Sequence, residues 1–372
     1  MSARNSAASA GLFVGHPPEW LPYGDAIRAL GALAVVMAHV GHEVTGRGVW
    51  MYTYEWWYAA AFDAAGRWAV PAFIMLSGAI FLAGRNSETP ATFYRKRLAR
   101  VGIPLAFWLL FYLLWRIGFQ GPRWRLPDLT WHDVGDMLLR GWTSPHLYFL
   151  GVMLGLYLFT PMLRIVVAHA SRRQLTTVTA IVLVLTVLSD AVHARHAVRD
   201  VPYTATMFDR FVPYLGFFLA GYCLRDVHLG RRGLALAWVG FVGSIIATVC
   251  LTYFIIPYGA AMEDIDPYFV RQFSPTRVIM AICAFLLFVG TIRHEWPRNG
   301  CGRLITHWLG PAALGIYLCH VAFLDLFFEW GLRAWTPNAW VGVPLRVAAA
   351  WLAAAILTMA VQRIPAIRRV MG

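Results

Sequence analysis

Long apolar segments dominate the sequence and limit its fold more than any other feature. They lie at about residues 22–44, 62–84, 101–119, 146–168, 175–190, 209–224, 234–256, 275–292, 308–328 and 344–362. A helix of roughly 20 apolar residues crosses the hydrocarbon core of a bilayer, and such a helix satisfies its own backbone hydrogen bonds there. The sequence therefore predicts an all-α, polytopic transmembrane helical bundle of about ten spans.

The charged residues agree with a membrane protein. They make up 14% of the 372 residues, whereas soluble domains contain about 25%. The formal net charge of +13 could suggest a nucleic-acid partner. However, the basic residues are almost all arginine and cluster between the spans, which membrane orientation explains better than a nucleic-acid groove. We therefore expect contact with membrane lipids and no nucleic-acid partner.

The distribution of basic residues also predicts the orientation of the bundle. If both termini are cytoplasmic, 19 of the 32 basic residues face the cytoplasm, in agreement with the positive-inside rule. Residues 1–20 would then form a cytoplasmic N-terminal tail and residues 21–363 the transmembrane domain. Residues 364–372 would form a cytoplasmic C-terminal tail. Five cysteines lie singly with no C-x-x-C pair, so we expect no disulfide framework and no metal site.

Two ionisable residues lie inside the first apolar segment. Arg28 and His39 are eleven positions apart, which is about three helical turns, so their side chains share one face about 16 Å apart. Ionisable groups inside a membrane usually face the protein interior and mark functional sites. The alternative is an arginine that extends toward the membrane surface and a histidine that only hydrogen-bonds a neighbouring helix.

The second apolar segment adds two more polar side chains. Arg67 is expected near the start of this span, at about the depth of His39, and Ser77 lies ten residues deeper. Two neighbouring spans would then present arginine, histidine and serine to one interior lane. Alternatively, Ser77 and the adjacent Gly78 only support close helix packing.

A cluster of cations opens the third span. Arg95, Lys96, Arg97 and Arg100 lie within six positions at the predicted cytoplasmic side. Arginine binds phosphate through paired hydrogen bonds and stays charged, so the cluster could hold a phosphate-bearing donor. It could equally anchor the span among lipid headgroups.

Three further candidates lie in later spans. Tyr148 begins the fourth span, and Tyr317 and His320 lie deep in the ninth. For His320 a structural role and a catalytic role both stay open at this point.

Together these motifs resemble the acyltransferase-3 family of integral membrane acyltransferases, and the likeness covers about residues 20–362. The matching positions are Arg28 and His39 as an R-x10-H pair, Phe73, Ser77 and Gly78, the arginines 95, 97 and 100, His146 to Leu150 with Tyr157 and Pro161, Phe218, Gly221 and Tyr222, and Ile316, Tyr317 and His320. Arg67, Trp68 and Pro71 look most like single-domain members that act on polysaccharide intermediates. The chain departs from the family pattern at Tyr148, where tryptophan is usual.

The resemblance implies an O-acetyltransferase of the bacterial inner (cytoplasmic) membrane, with several spans. It would transfer an acetyl group from cytoplasmic acetyl-CoA to a hydroxyl of a lipid-linked or exported cell-surface glycan. A glycan or lipid transporter or flippase of the polysaccharide export pathway is the competing interpretation, because interior charges suit it equally well. That alternative does not require an R-x10-H pair beside an arginine cluster.

For such a reaction, the positions of the charged residues suggest roles in binding the donor. Arg95, Arg97 and Arg100 would hold the CoA phosphates at the inner face, with Arg28 just above them. The pantetheine arm would then run between the first two spans, past Ser77.

The chemical step would take place at His39, which would act as general base on the acceptor hydroxyl or briefly carry the acyl group. Glu43, one turn further along, would orient the imidazole. Arg67 or a backbone amide at a helix end would stabilise the developing oxyanion.

Overall fold

The computed structural model describes residues 21, 23–47, 50, 51, 53–83, 88–118, 130–140, 143–197, 206, 209–255, 268–292 and 300–372. All regular elements in these residues are helical. They are α1 (Gly24–Thr45), α2 (Tyr54–Gly66), α3 (Ala69–Phe81), α4 (Pro90–Arg97), α5 (Ile103–Gly118), α6 (Trp131–Arg140), α7 (Tyr148–His169), α8 (Arg172–Ala197), α9 (Leu215–Leu224), α10 (Arg231–Ile255), α11 (Pro275–Thr291), α12 (Gly300–Leu304), α13 (Gly310–Glu329) and α14 (Ala339–Gln362). Short 3-10 helices lie at Pro145–Leu147, Val212–Tyr214, Tyr268–Val270 and Arg368–Met371. π-Helical segments at Leu98–Gly102 and Ile305–Leu309 join α4 to α5 and α12 to α13.

The predicted all-α polytopic fold is confirmed. Within the described residues, nine helical stretches are long and apolar enough to cross a membrane, at 24–45, 54–81, 90–118, 145–169, 172–194, 231–255, 268–291, 302–329 and 339–362. The sixth predicted span corresponds to a shorter apolar helix, Val212–Leu224. Which side of the membrane each terminus faces stays a prediction.

Two helices begin well before the predicted spans. The second membrane-spanning stretch begins at Tyr54 rather than near residue 62, and the third begins at Pro90 rather than near residue 101. Both starts carry a threonine N-cap, since the Thr53 hydroxyl accepts from the backbone N–H of Trp56 and Thr89 caps α4 in the same way. A threonine in this position satisfies one of the free N–H groups of the first turn. Hydropathy alone misses these polar first turns.

The helices differ strongly in burial. In the most apolar part of the membrane-spanning stretch that ends with α13, 72% of the residues are buried. The corresponding fraction is 17% for α8 and 22% for α10. Helices α1, α3, α9 and α13 therefore form the centre of the bundle, whereas α8 and α10 lie at its lipid-facing edge.

Glycines allow the central helices to pack closely. A Cβ atom on Gly78 would overlap the backbone carbonyl of Phe218 in α9, and one on Gly221 would overlap the carbonyl of Met75 in α3. Small residues permit such backbone contact between membrane helices. The packing role considered for Gly78 is therefore present in the structure.

The C-terminal residues pack against the bundle. The 3-10 helix Arg368–Met371 follows α14, and the indole N–H of Trp108 donates to the carbonyl of Val370 at 2.9 Å. The side chain of Met371 is buried. The segment predicted as a C-terminal tail is thus folded onto α5 and α13, whereas the predicted N-terminal tail, residues 1–20, lies outside the described residues.

Candidate functional site

Five of the predicted site residues line one cavity of about 490 Å³. Arg28 comes from α1, Ser77 from α3, Arg97 from α4 and Arg100 from the π-helical segment that follows α4. Helix α13 closes the opposite wall and contributes Tyr317. We call this space the basic cavity.

The charge on the wall of the basic cavity is predominantly positive. Among the described residues of this wall, the charged side chains are those of Arg28, Arg97 and Arg100 and the carboxylate of Asp25. Asp25 pairs with Arg28 at 2.7 Å. The Arg97 guanidinium lies over the ring of Phe81, 4.1 Å from its centroid. The cavity is therefore suited to an anionic ligand.

Arg95 is separate from this group. It is exposed and is not among the residues that line the basic cavity. Two residues along an α-helix correspond to a rotation of about 200°, so Arg95 and Arg97 lie on opposite faces of α4. Its predicted contact with CoA stays a prediction.

The two π-helical segments flank the basic cavity. The first carries Arg100 and Val101 on the cavity wall, and the second is followed directly by Gly310 and Pro311, which line the same space. Single π-helical turns occur often at functional sites.

Three histidine rings meet beyond the far end of the basic cavity. The ring centroid of His39 lies 5.1 Å from that of His320 and 6.4 Å from that of His146, and the latter two are 5.2 Å apart. His146 and His320 are buried, whereas His39 is partly accessible. Tyr317 separates this group, the histidine cluster, from the basic cavity, because its ring contacts both His146 and His320. His39 itself does not line the basic cavity.

The hydrogen bonds of two histidines assign their neutral tautomers. His146 Nε2 lies 3.2 Å from the carbonyl of Leu318, so Nε2 carries the proton and Nδ1 accepts from Ser144 at 2.9 Å. His320 Nδ1 donates to the carbonyl of Tyr317 at 2.7 Å. The Nε2 atom of His320 is buried and has no hydrogen-bond partner in the described part of the chain. His320 therefore presents a lone pair inside the cluster.

The cluster does not have the arrangement of a metal centre. Among the described residues, no group of three or more histidine, cysteine, aspartate or glutamate side chains is placed to hold a metal ion. Both ring nitrogens of His146 are taken up by protein partners.

The position of Arg67 differs from the expected one. It lies in the middle of the second membrane-spanning stretch, at the junction of α2 and α3, because that stretch begins at Tyr54. Its guanidinium pairs with Asp63 at 2.6 Å and donates to the carbonyl of Val270 at 2.8 Å. Arg67 and Asp63 lie within electrostatic range of His39. Asp63 was not among the predicted site residues, although a carboxylate four residues before an arginine favours a helical ion pair.

Glu43 also has a partner that the sequence analysis did not identify. Its carboxylate pairs with Arg346 of α14 at 2.8 Å, and both side chains are almost fully buried. The same guanidinium donates to the carbonyl of Leu324 at 2.6 Å and to that of Leu332. An arginine inside an apolar span was the available signal for this pair. The prediction that Glu43 orients His39 stays a prediction.

Tyr148 lines a second cavity, of about 740 Å³, between α8, α9 and the segment that leads into α11. We call it the aromatic cavity, since Tyr148, Tyr214 and Phe273 form part of its wall. Asp190 and Arg271 pair within it at 3.0 Å. The next residue after Tyr148, Phe149, lines the basic cavity, so the first turn of α7 separates the two spaces.

Comparison with known proteins identifies one family. A family model described as an acyltransferase domain (acyltransferase-3) matches residues 21–361. No curated protein and no solved structure matches the chain.

Proposed function

The chain belongs to the acyltransferase-3 family of membrane acyltransferases, and on that premise we propose that it transfers an acetyl group from acetyl-CoA to a glycan hydroxyl. The acceptor is a lipid-linked or exported cell-surface glycan, and the proposed location is the bacterial inner membrane. The observation that carries this proposal is the placement of an arginine-lined cavity directly beside the histidine cluster, with Tyr317 between them.

The donor would bind in the basic cavity. Arg28 is distant in sequence from Arg97 and Arg100, but all three line the same space, and guanidinium groups bind phosphates well. Phe149 and Tyr317 line the same cavity near the histidine cluster, which suits the less polar pantetheine arm. This arrangement would direct the thioester toward His39.

The chemical step is a direct acyl transfer. The acceptor hydroxyl oxygen attacks the thioester carbonyl carbon while His39 takes the hydroxyl proton as general base. The carbon–sulfur bond breaks, and the CoA thiolate takes the proton back from His39 to leave as free CoA. The products are the acetyl ester of the glycan and CoA, and no metal takes part.

Two neighbours would support this step. His320 Nε2 has no partner among the described residues, and its ring lies beside that of His39. This nitrogen would accept a hydrogen bond from a ring N–H of His39. The other ring nitrogen of His39 would then be directed toward the acceptor. The Nε–H of Arg67 is buried and has no hydrogen-bond partner among the described residues. A fixed donor of this kind would stabilise the developing oxyanion.

Mass analysis of the surface glycan tests the proposal in the native host. A deletion strain should export the glycan without its acetyl ester, and the wild-type gene should restore the ester. His39→Ala at normal protein level should not restore it, whereas His169→Ala, which changes an exposed histidine of α7, should. Unacetylated glycan retained inside the deletion strain would favour the transporter interpretation, and full acetylation with His39→Ala would refute the assigned role of His39.

A further inference from the structure

The aromatic cavity contains the side chains of a saccharide-binding site. Tyr148 and Tyr214 have ring centroids 6.5 Å apart, and Tyr214 packs edge-on against Phe273 at 4.7 Å. Aromatic faces pack against the C–H face of a sugar ring, and a few convergent polar groups then fix its orientation. Asp190 and Arg271 supply an acceptor and a donor set on the same wall.

An amide donor on a residue of the cavity wall has no partner in the described part of the chain. Gln272 lines the cavity, and its Nε2 atom is buried without a hydrogen-bond partner among the residues that the structure describes. A buried donor that is left unsatisfied costs free energy. Rotation of the partly buried side chain would bring this donor to the cavity surface, where a ligand hydroxyl would accept its hydrogen bond.

The aromatic cavity also reaches the lipid-facing edge of the bundle. Leu185 of α8 and Val212 line it, and these side chains are 59% and 50% exposed. Apolar side chains exposed at this level of a membrane-spanning helix face the acyl chains of the bilayer. The cavity is thus lined by polar and aromatic side chains on its inner side and by apolar side chains where it opens toward the lipid.

Arg277 links the aromatic cavity to the surroundings of His39, because its Nε–H donates to the carbonyl of Arg67 at 3.4 Å. Arg277 lies within electrostatic range of both Tyr148 and Tyr214, and also of Arg67. Tyr148 also lies within electrostatic range of Tyr317, whose ring contacts His146 and His320. A ligand held on Tyr148 would therefore lie close to the histidine cluster that contains His39.

We infer that the aromatic cavity is the acceptor site and that it binds one sugar ring of a lipid-linked saccharide, with the lipid chain leaving between Leu185 and Val212. This inference rests on the proposed function. It goes further in assigning the acceptor to its own cavity and in choosing a lipid-linked substrate over a free, exported polymer.

Acetyl transfer in host membrane vesicles tests the acceptor site. Vesicles that contain the host's lipid-linked glycans are incubated with [14C]acetyl-CoA, and the label in the lipid-extractable glycan is counted. Gln272→Leu should lower this transfer about tenfold with the KM for acetyl-CoA unchanged, whereas Gln174→Leu, which alters an exposed glutamine of α8, should leave it unchanged. Asp190→Asn is a second variant that keeps the shape of the side chain, and it should lower transfer similarly.

Photocrosslinking tests the mouth of the cavity. A benzophenone amino acid at Leu185 should capture labelled lipid-linked glycan, whereas the same group at Leu236, an exposed leucine of α10, should not. Wild-type transfer that persists in both Gln272→Leu and Asp190→Asn would overturn the acceptor site alone. Label found only in water-soluble glycan, or equal crosslinking at both leucines, would overturn the lipid-linked substrate. Absence of transfer by the wild type would instead refute the proposed function itself.

Discussion

Replacement of Arg346 by leucine should destabilise the bundle strongly. The Arg346 side chain is fully buried, pairs with Glu43 at 2.8 Å and donates to two backbone carbonyls. Arg346→Leu removes the cation but leaves the carboxylate in the apolar interior. Breaking a buried pair in this way typically costs about 3–5 kcal/mol.

The double variant separates the cost of the isolated charge from the loss of packing. Replacement of both Glu43 and Arg346 by leucine removes the buried carboxylate as well. Apolar residues that replace a whole buried pair are often tolerated, so the double variant should be more stable than Arg346→Leu alone. The two carbonyls still lose their donor, and recovery should therefore be incomplete.

Unfolding of the purified protein in detergent measures both effects. Titration with a denaturing detergent, followed by tryptophan fluorescence, gives the free energy of unfolding of each variant. Arg172→Leu serves as the control because Arg172 is exposed at the start of α8. A free energy for Arg346→Leu within 1 kcal/mol of this control would refute the structural importance of the ion pair.

Three further predictions concern packing, donor binding and the C-terminus. Gly78→Leu should prevent correct folding because a side chain at this position meets a backbone carbonyl of the neighbouring helix. Gly243→Leu should be tolerated, since nothing lies within 4 Å of the Cβ position there. The yield of monodisperse protein distinguishes the two variants. Arg97→Ala should weaken acetyl-CoA binding about 10- to 100-fold in calorimetry, from the roughly 1.5–3 kcal/mol of a charge-assisted hydrogen bond, whereas Arg95→Ala should change it less than about threefold. Removal of residues 368–372 should lower the melting temperature, and an unchanged value would show that these residues do not stabilise the bundle.

Several features of the fold and the site were predictable because they depend on local sequence. The apolar segments indicate the helices, and helical spacing places Arg28 and His39 on one face of α1, which runs unbroken from Gly24 to Thr45. Arg28, Ser77, Arg97 and Arg100 do line one cavity, because functional polar groups inside a membrane face the bundle interior.

The partners of buried charges were not predictable from local patterns. Glu43 and Arg346 are 303 positions apart, and no periodicity indicates which helices of an apolar bundle are neighbours, since lipid-facing and interior surfaces are both apolar. Asp63 was missed for another reason. The predicted second span begins at about residue 62, which leaves Asp63 at its edge, whereas the ion pair with Arg67 allows Asp63 to lie within the membrane-spanning stretch.

Acetyl transfer by the purified protein in lipid vesicles tests the central claim most directly. The claim is that His39, beside an arginine-lined cavity, acts on acetyl-CoA and a glycan hydroxyl. We predict that the wild type transfers label from [14C]acetyl-CoA to added lipid-linked glycan. His39→Ala should retain acetyl-CoA binding in calorimetry but lose at least a hundredfold in transfer rate, in keeping with the contribution of a general base. Transfer by His39→Ala at the wild-type rate would contradict the account.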